Sequence, residues 1–211
     1  MDNTIQIIEK PEWVSWDVIH DVLWAAHAEN RNVGIIMSTA FLSGEELKKK
    51  IEGRGTMFVA LIQGKVVATA AIIKMKASLW CVNGECAYMG FASVLPEYKG
   101  KGIYKALCLR WEEEAKRWGV NYMLLNTHSN NNKVIAYNLK NGYKCVDIIK
   151  YDDHINVKMV KWMNGCPYSD WYIKIQFKKQ ILYRYVKHWL LKLYHLVRST
   201  DMAPTLYSKN N

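Results

Sequence analysis

The order of hydrophobic and polar residues divides the chain into short segments of two periodicities. Alternation with a period of two, or a short uncharged apolar run, predicts a strand, whereas apolar residues three and four positions apart predict a helix. Strands are expected at 4–10, in two runs of 56–75 that meet at Gln63-Gly64, and at 86–94, 120–128, 143–151 and 154–163. Helices are expected at 13–30, 43–51, 103–118 and 131–141. The resulting order, β-α-α-β-β-β-α-β-α-β-β, predicts an α/β fold with a mixed sheet and helices on both faces.

Residues typical of helix ends mark several of these boundaries. Ser15 stands where it can cap the first helix, and Ser43 is followed three residues later by Glu46, which is the spacing of a capping box. Gly119 and Gly142 follow helical segments, and glycine commonly occupies the position after a helix.

The composition indicates a cytoplasmic globular protein. The chain has 211 residues, half of them hydrophobic, so a sizeable core is expected. No apolar run approaches the roughly 18–20 residues that span a bilayer, and the N-terminus lacks the basic region and apolar block of a secretory signal. The number of cysteines is odd and no Cys-x-x-Cys pair occurs, which predicts free thiols and no metal site: Cys81, Cys86, Cys108, Cys145 and Cys166.

The formal net charge of +10 is concentrated near the C-terminus. From Lys174 to Arg198 there are seven Lys or Arg residues and no Asp or Glu. The basic balance therefore indicates little about the rest of the chain, and nucleic acid is not the expected partner.

A glycine-containing loop at 96–107, with the sequence PEYKGKGIYKAL, is the main candidate for ligand binding. Gly100 and Gly102 remove two Cβ atoms just before a helix, and the free N–H groups and dipole of a helix N-terminus attract anions. Three lysines add positive charge: Lys99, Lys101 and Lys105. The Rossmann fingerprint is excluded because Lys105 stands where its third glycine is required, and no P-loop motif occurs.

This loop resembles the pyrophosphate loop of the GNAT (Gcn5-related N-acetyltransferase) family, whose signature after the fourth strand is [QR]-x-x-G-x-[GA]. In the register 99–104, Gly102 matches, Lys99 replaces Gln or Arg and keeps a cation, and Tyr104 replaces the final Gly or Ala. The family usually also has an Asn with Gly-Phe eleven residues later, and here Asn131 is followed by Gly142-Tyr143 at that spacing. The resemblance covers roughly residues 5–160 and implies a GNAT-like mixed, mostly antiparallel sheet.

The resemblance implies that acetyl-CoA is the cofactor and that the loop amides hold its pyrophosphate. The loop residues implied in cofactor binding are Lys99, Gly100, Lys101, Gly102, Ile103, Tyr104 and Lys105. Asn131 would bond to the pantetheine arm, and the backbone of Ala92, Ser93 and Val94 would pair with that arm like a neighbouring strand. Ala92 or a neighbour would donate an N–H to the thioester oxygen, which gains charge as an amine attacks.

The residue that protonates the leaving thiolate is left open by the sequence. The family often places a tyrosine four residues before the glycine, but Asn138 stands there and has no acidic proton. Tyr143, or no acid at all, are the alternatives, since a thiolate with a thiol pKa of about 8.5 leaves tolerably well unaided.

Three residues are candidates for accepting the proton of the amine. Some family members use a glutamate on the fourth strand, and the corresponding residue here is Tyr88. Glu85 lies three residues earlier and so faces the other side of a regular strand, and a solvated hairpin charge is the favoured interpretation of it. His128 ends the fifth strand, and an unperturbed histidine pKa of about 6.5 suits proton uptake, although a surface loop histidine is the alternative.

The segment after the predicted domain forms a C-terminal extension, 164–211, with a basic amphipathic helix at about 174–199. Three interpretations are open: packing on the domain or across a homodimer, docking on a membrane surface, and nucleic-acid binding, which is the least favoured.

The sequence as a whole predicts an acetyl-CoA-dependent N-acetyltransferase in residues 1–163, acting directly on a primary amine of a small molecule or amino sugar. The alternative is a non-catalytic acyl-CoA-binding or scaffold module of the same fold. The expected location is the cytoplasm, with peripheral attachment to the inner membrane surface if the extension binds membranes.

Overall fold

The computed structural model describes residues 4–32, 37–152 and 154–200, with side chains as far as residue 194. The end of the predicted extension, 201–211, lies outside the described residues. The strands are β1 (Gln6–Glu9), β2 (Gly55–Ile62), β3 (Lys65–Leu79), β4 (Val82–Val94), β5 (Tyr122–His128), β6 (Lys144–Lys150) and β7 (Ile155–Trp162). The helices are α1 (Trp16–Ala26), α2 (Ala28–Asn32), α3 (Gly44–Ile51), α4 (Ile103–Arg117), α5 (Asn132–Lys140) and α6 (Asp170–Thr200), with 3-10 turns at Ser38–Phe41 and Pro96–Tyr98.

The seven strands form one sheet in the order β1-β2-β3-β4-β5-β7-β6. Every neighbouring pair is antiparallel except β4 and β5, which are parallel. The predicted mixed, mostly antiparallel sheet is therefore confirmed, and the predicted element order holds except for one further helix, α2.

The predicted capping and turn residues make the expected local contacts. The Ser15 side chain accepts a hydrogen bond from the Val18 N–H, and Ser43 and Glu46 make both bonds of a capping box. Gln63 and Gly64 both have positive φ, 51° and 75°, as a tight turn between β2 and β3 requires.

The predicted single helix at 13–30 is wrong, because two helices meet at His27. The φ of −100° and ψ of 10° at His27 end α1, and the imidazole hydrogen-bonds to Ser93 on β4. Two other boundaries lie four residues earlier than predicted: β4 begins at Val82 and α6 begins at Asp170.

Helices cover both faces of the sheet, as predicted. On the side that we call the α4 face, Leu107 and Trp111 of α4 pack on Phe58, Ile72 and Met123. On the opposite side, the α1 face, buried side chains of α1 and α3 pack on β2 and β3: Ile19, Leu23, Leu47, Met57 and Ala71.

The outermost strand, β6, is covered by α6. Ile173 joins a third cluster with Val146 of β6. The carboxylate of Asp147 is buried and pairs with Arg184, while Lys144 pairs with Asp170 at 2.7 Å. The start and middle of α6 are thus fixed along the edge of the sheet, which shields unpaired strand groups. Within the described residues, we find no helix with the length and apolarity that crossing a membrane requires.

Candidate active site

The site begins where the two parallel strands separate. In the described part of the chain, β4 pairs with β5 only over Ala87–Met89, opposite Met123–Leu125. Beyond this point β5 continues along β7, whereas β4 continues along β3. The backbone of Gly90–Val94 therefore faces an opening in the sheet instead of a neighbouring strand.

A β-bulge fixes the direction of β4 at this opening. Phe91 has a φ of +54°, which is unusual for a residue with a side chain, and the β3–β4 register shifts beside it. The buried Thr69 hydroxyl donates to the Phe91 carbonyl over 3.0 Å. Sequence analysis missed Thr69. The signal was a polar residue within the apolar run of 66–73, since a buried hydroxyl needs a partner.

The loop before α4 exposes N–H groups at the helix N-terminus. Gly100 and Gly102 both have a φ of +79°, and a Cβ added to either would meet nothing within 4 Å. The backbone conformation, and not a lack of space, therefore favours glycine at both positions. Gly102 is the N-cap residue of α4, and no side chain caps the helix there in the residues described. The first N–H groups of α4 are thus available to an anion.

A pocket of about 260 Å³ lies beside this helix end. It is lined by Val94, Tyr98, Lys99, Gly100, Gly102, Ile103, Tyr104, Lys105 and Tyr137. Seven of the predicted cofactor-binding residues are in this set, and Tyr98 and Tyr137 are additions that no sequence motif indicated. Because α5 contributes Tyr137, the pocket joins the loop, the end of β4 and α5.

Several predicted cofactor residues also make contacts of their own. Lys101 lies over the Tyr98 ring at 4.8 Å from its centroid. Lys99 pairs with Glu29 of α2 at 2.6 Å, and this bond holds the pKa of Glu29 below its usual value. Asn131 is the N-cap of α5, where its side chain accepts from the Val134 N–H at 3.4 Å.

The two departures from the family pattern contact each other. The Asn138 amide donates to the Tyr104 hydroxyl at 3.2 Å and to the Val134 carbonyl at 2.8 Å. The Tyr104 ring also packs edge-on against Tyr137, with centroids 5.2 Å apart. Burial raises the pKa of Tyr104, so its hydroxyl stays protonated. Tyr104 thus packs beside α5 and also lines the pocket.

On the α1 face of the same opening, Tyr88 and His128 lie on one side of the sheet. Tyr88 is opposite Leu124 in the β4–β5 ladder, so the two side chains face the same side of the sheet. Every second residue of a strand faces one side, which places Asn126 and His128 there as well. Burial raises the pKa of Tyr88, and a hydrogen bond with Asn126 acts in the opposite direction. The Tyr88 ring lies over Gly90, where an added Cβ would be 2.9 Å from the ring.

His128 is buried and oriented by its neighbours. Its Nδ1 accepts from the Asn130 N–H at 3.1 Å, so the neutral ring carries its proton on Nε2. Its ring stacks on His154, with centroids 5.5 Å apart, and His154 stacks on Tyr151 at 4.3 Å. His128 is therefore not the surface loop histidine of the alternative interpretation, since only 7% of it is exposed.

The other two predicted catalytic residues lie apart from this pair. Glu85 is exposed and lies opposite Lys76, close to the β3–β4 turn. Tyr143 is buried on the α4 face, where its hydroxyl donates to the sulfur of Met89 at 3.3 Å. Burial raises the pKa of Tyr143, which makes it a weaker acid than a free tyrosine.

His27 is a further residue that sequence analysis missed. Its Nδ1 lies 3.0 Å from the Asn30 amide nitrogen and its Nε2 lies 2.9 Å from the Ser93 hydroxyl. Asn30 can only donate from that nitrogen, so His27 is neutral and donates to Ser93. Burial, with the nearby charges of Arg31 and Lys99, lowers the pKa of His27 to about 4. This contact ties the junction of α1 and α2 to the end of β4.

Comparisons with known proteins agree with this geometry. The model of the acetyltransferase (GNAT) family matches residues 16–143. The ribosomal-protein-S18-alanine N-acetyltransferase from Escherichia coli is 17% identical with a TM-score of 0.59, covering 79% of this chain and 99% of that chain. The PaiA N-acetyltransferase from Thermoplasma acidophilum, in complex with coenzyme A, is 19% identical with a TM-score of 0.55, covering 75% and 99%.

A third solved structure, a GNAT family acetyltransferase from Elizabethkingia anophelis with acetyl-CoA bound, is 12% identical with a TM-score of 0.54, covering 77% of this chain and 100% of that chain. At these identities the solved structures establish the fold, and no match was found among curated proteins. Because the family model covers more than half of the sequence, the chain belongs to the GNAT acetyltransferase family.

Proposed function

We propose that the protein transfers an acetyl group from acetyl-CoA directly to a primary amine of a small molecule or amino sugar. The observation that carries this proposal is the meeting of two features in one place. The opening between β4 and β5 leads to the pocket at the uncapped N-terminus of α4. One feature offers backbone groups to an extended arm, and the other offers N–H groups to a pyrophosphate.

The donor side relies on backbone groups. The first N–H groups of α4, with Lys105 beside them, would hold the pyrophosphate. The backbone of Ala92–Val94 would pair with the amides of the pantetheine arm along the opening. Acetyl-CoA supplies an acetyl thioester, whose carbonyl carbon is open to attack by a neutral amine.

The acceptor side supplies a base and a fixed position. The amine nitrogen forms a bond to the carbonyl carbon, and the carbon–sulfur bond breaks so that CoA leaves as the thiolate. His128 takes up on Nδ1 the proton that the amine loses, and Nδ1 must first give up its bond from the Asn130 N–H. The N–H of Ala92, held by the bulge that Thr69 fixes, donates to the carbonyl oxygen as it gains charge. Positioning both reactants at one opening in the sheet supplies the rest of the acceleration.

The proposal is tested with purified full-length protein, acetyl-CoA and a panel of primary amines, with thiol release as the signal. Gly102→Ala is expected to raise the KM for acetyl-CoA about tenfold, because a side chain at this φ shifts the N–H groups of α4. Gly119→Ala is the matched control, since Gly119 follows the same helix, has a φ of +67° and also has nothing within 4 Å of an added Cβ.

Both variants should lose about 1 kcal/mol of stability, so a difference between their KM values for acetyl-CoA reports an effect on the site. Equal KM values for the two variants would contradict the assignment of the pocket.

A second candidate function is a non-catalytic acyl-CoA-binding or scaffold module. Asn138 favours it, because this residue stands in the family's acid position and its amide is bonded to Tyr104 and Val134. Tyr143 is sealed against the Met89 sulfur and does not replace that acid in the pocket. Binding of acetyl-CoA without thiol release for any amine would select this function.

A further inference from the structure

The side of α6 that points away from the sheet carries a continuous apolar stripe. Leu182, Val186, Trp189, Leu190 and Leu193 are spaced three and four residues apart, and between 37% and 66% of each is exposed. Trp171, 71% exposed, lies on the same side at the start of the helix. A stripe of this length on a surface helix indicates a partner surface.

The helix cannot turn this stripe inward, because its opposite side is already occupied. Ile173 is buried against the sheet, Arg184 pairs with the buried Asp147, and His188 lies 3.0 Å from Asp152. These contacts extend over about four turns of the helix. The apolar stripe therefore stays on the outside of the folded protein.

Positive charge surrounds the stripe, and no negative charge accompanies it. Lys174, Lys178 and Lys179 lie along the first half of the exposed side, and Lys187 and Lys192 flank the second half. From Trp171 to Thr200 the helix has no Asp or Glu. The carboxylates that contact α6 are already paired, Asp147 with Arg184 and Asp152 with Lys192, and Asp170 at its start pairs with Lys144.

This charge pattern distinguishes among the possible partners. Two copies of the stripe packed together would bring rows of lysines close to each other with no acidic residues to neutralise them. A pocket of about 360 Å³ between α6 and β6 adds more positive charge, because Lys150, Lys158 and Lys187 line it. The partner that fits is apolar inside and negatively charged at its surface.

We propose that α6 docks in the plane of an anionic lipid bilayer, with the stripe among the upper acyl chains and the lysines at the headgroup phosphates. Trp171 and Trp189 are suited to this depth because their rings are apolar with one polar N–H. Lysine side chains reach upward from such a helix while their methylene groups stay in the apolar layer. If the proposed function holds, docking also brings the acceptor side near the membrane, since Asp152 of the β6–β7 turn contacts α6 next to Tyr151.

The test measures binding of the full-length protein to vesicles by co-sedimentation, without any assay of activity. Vesicles of neutral phosphatidylcholine are compared with vesicles that contain about 30% phosphatidylglycerol. We expect binding to the anionic vesicles that weakens between about 0.1 M and about 0.5 M salt. The double variant Trp189→Gln/Leu190→Gln should lose about tenfold or more in partition constant.

Two matched controls distinguish docking through α6 from nonspecific binding to vesicles. Leu109→Gln/Leu139→Gln removes exposed apolar side chains from α4 and α5 and should leave binding unchanged. Lys178→Gln/Lys179→Gln should weaken binding to anionic vesicles several-fold, whereas Lys48→Gln/Lys49→Gln on α3 should not. Thermal unfolding of each variant checks that the fold is retained.

Three results would overturn the proposal. The first is equal binding to neutral and anionic vesicles. The second is full binding by Trp189→Gln/Leu190→Gln. The third is a stable dimer without lipid, seen by sedimentation velocity, that this variant converts to monomer, because the stripe would then be an interface between two copies. Loss of acetyl transfer with vesicle binding intact would count against the proposed function alone.

Discussion

The two faces of the sheet meet at the opening between β4 and β5, but they are built in different ways. On the α4 face, the candidate donor pocket depends on backbone conformation: two glycines at a φ of +79°, a bulge at Phe91 and an uncapped helix end. On the α1 face, the candidate acceptor side depends on side chains from separate segments, with His128 at the end of β5 and His154 just before β7. A cofactor that a whole family shares can be held by backbone groups alone. Recognition of one particular acceptor, in contrast, requires specific side chains.

This difference predicts where substitutions act strongly. Side chains on the acceptor side should control turnover, and side chains on the donor side should have modest effects as long as the backbone is kept. Each experiment below compares the two sides under this expectation.

The largest effect is expected for His128→Gln. If His128 takes the proton of the amine, its loss should lower kcat/KM about a thousandfold, or about 4 kcal/mol, at neutral pH. The KM for acetyl-CoA should change less than about threefold, because His128 does not line the donor pocket. Steady-state kinetics on the best amine of the panel measures both constants.

His20→Gln is the control for this experiment. His20 bonds to the Leu42 carbonyl at 2.7 Å, outside the candidate site, and its substitution should leave turnover within about twofold. A loss in His128→Gln no larger than in His20→Gln would show that the acceptor side does not rely on this side chain.

An intermediate effect is expected from His27, which ties the junction of α1 and α2 to the end of β4. The folded-state pKa of about 4 lies below the ordinary value of 6.5, so the folded protein favours the neutral ring. The stability that depends on a neutral His27 is fully present above pH 6.5. It is lost as the pH falls toward about 4, by about 3 kcal/mol in the free energy of unfolding. Urea unfolding at several pH values between 7 and 4 measures the slope.

His27→Gln isolates this contribution, because a glutamine amide can donate to Ser93 but does not titrate between pH 4 and 6.5. The variant should show a shallower loss of stability over this range than the parent protein. Carboxylates with lowered pKa values, such as Glu29 and Asp152, also lose stabilisation in acid, but they are common to both proteins. Equal slopes would contradict a lowered pKa of His27.

The backbone of the candidate donor pocket could be predicted from the sequence to a greater extent than the side chains of the candidate acceptor side, because it depends on local conformation. Glycines next to a helix start report backbone conformation directly, so the loop at 99–105 and the pocket position followed from spacing. Periodicity likewise predicted the element order, because each strand has one or two buried faces. The bond between His27 and Ser93 joins residues 66 positions apart, and no local pattern reports a contact of that kind.

The bulge lies between these two cases. Its conformation is local, yet Phe91 carries no residue-type signal for a positive φ, and its partner Thr69 lies on the neighbouring strand. The contact of Tyr104 was similarly not predictable from the sequence, because only the folded chain shows that Tyr104 packs beside Asn138. A single departure from a motif is thus poor evidence against membership of a family when a second, compensating departure lies elsewhere in the chain.

The smallest effect is expected for this pair, and it is the most direct test of the donor side. Tyr104→Phe removes the hydroxyl that accepts from Asn138, while the ring contacts with Tyr137 remain. Stability should fall by about 1 kcal/mol, and the KM for acetyl-CoA should rise less than about threefold. Tyr98→Phe is the control, since Tyr98 lines the same pocket and contacts Lys101 through its ring.

A double-mutant cycle with Asn138→Leu completes this experiment, because Asn138 is fully buried and leucine has a similar shape. We expect a coupling free energy of about 1 kcal/mol between the two positions, from urea unfolding of the four proteins. A coupling near zero would mean that Tyr104 and Asn138 vary independently. A large loss of turnover in Tyr104→Phe would instead place a catalytic hydroxyl on the α4 face. The contrast between a donor side built from backbone and an acceptor side built from side chains would then fail.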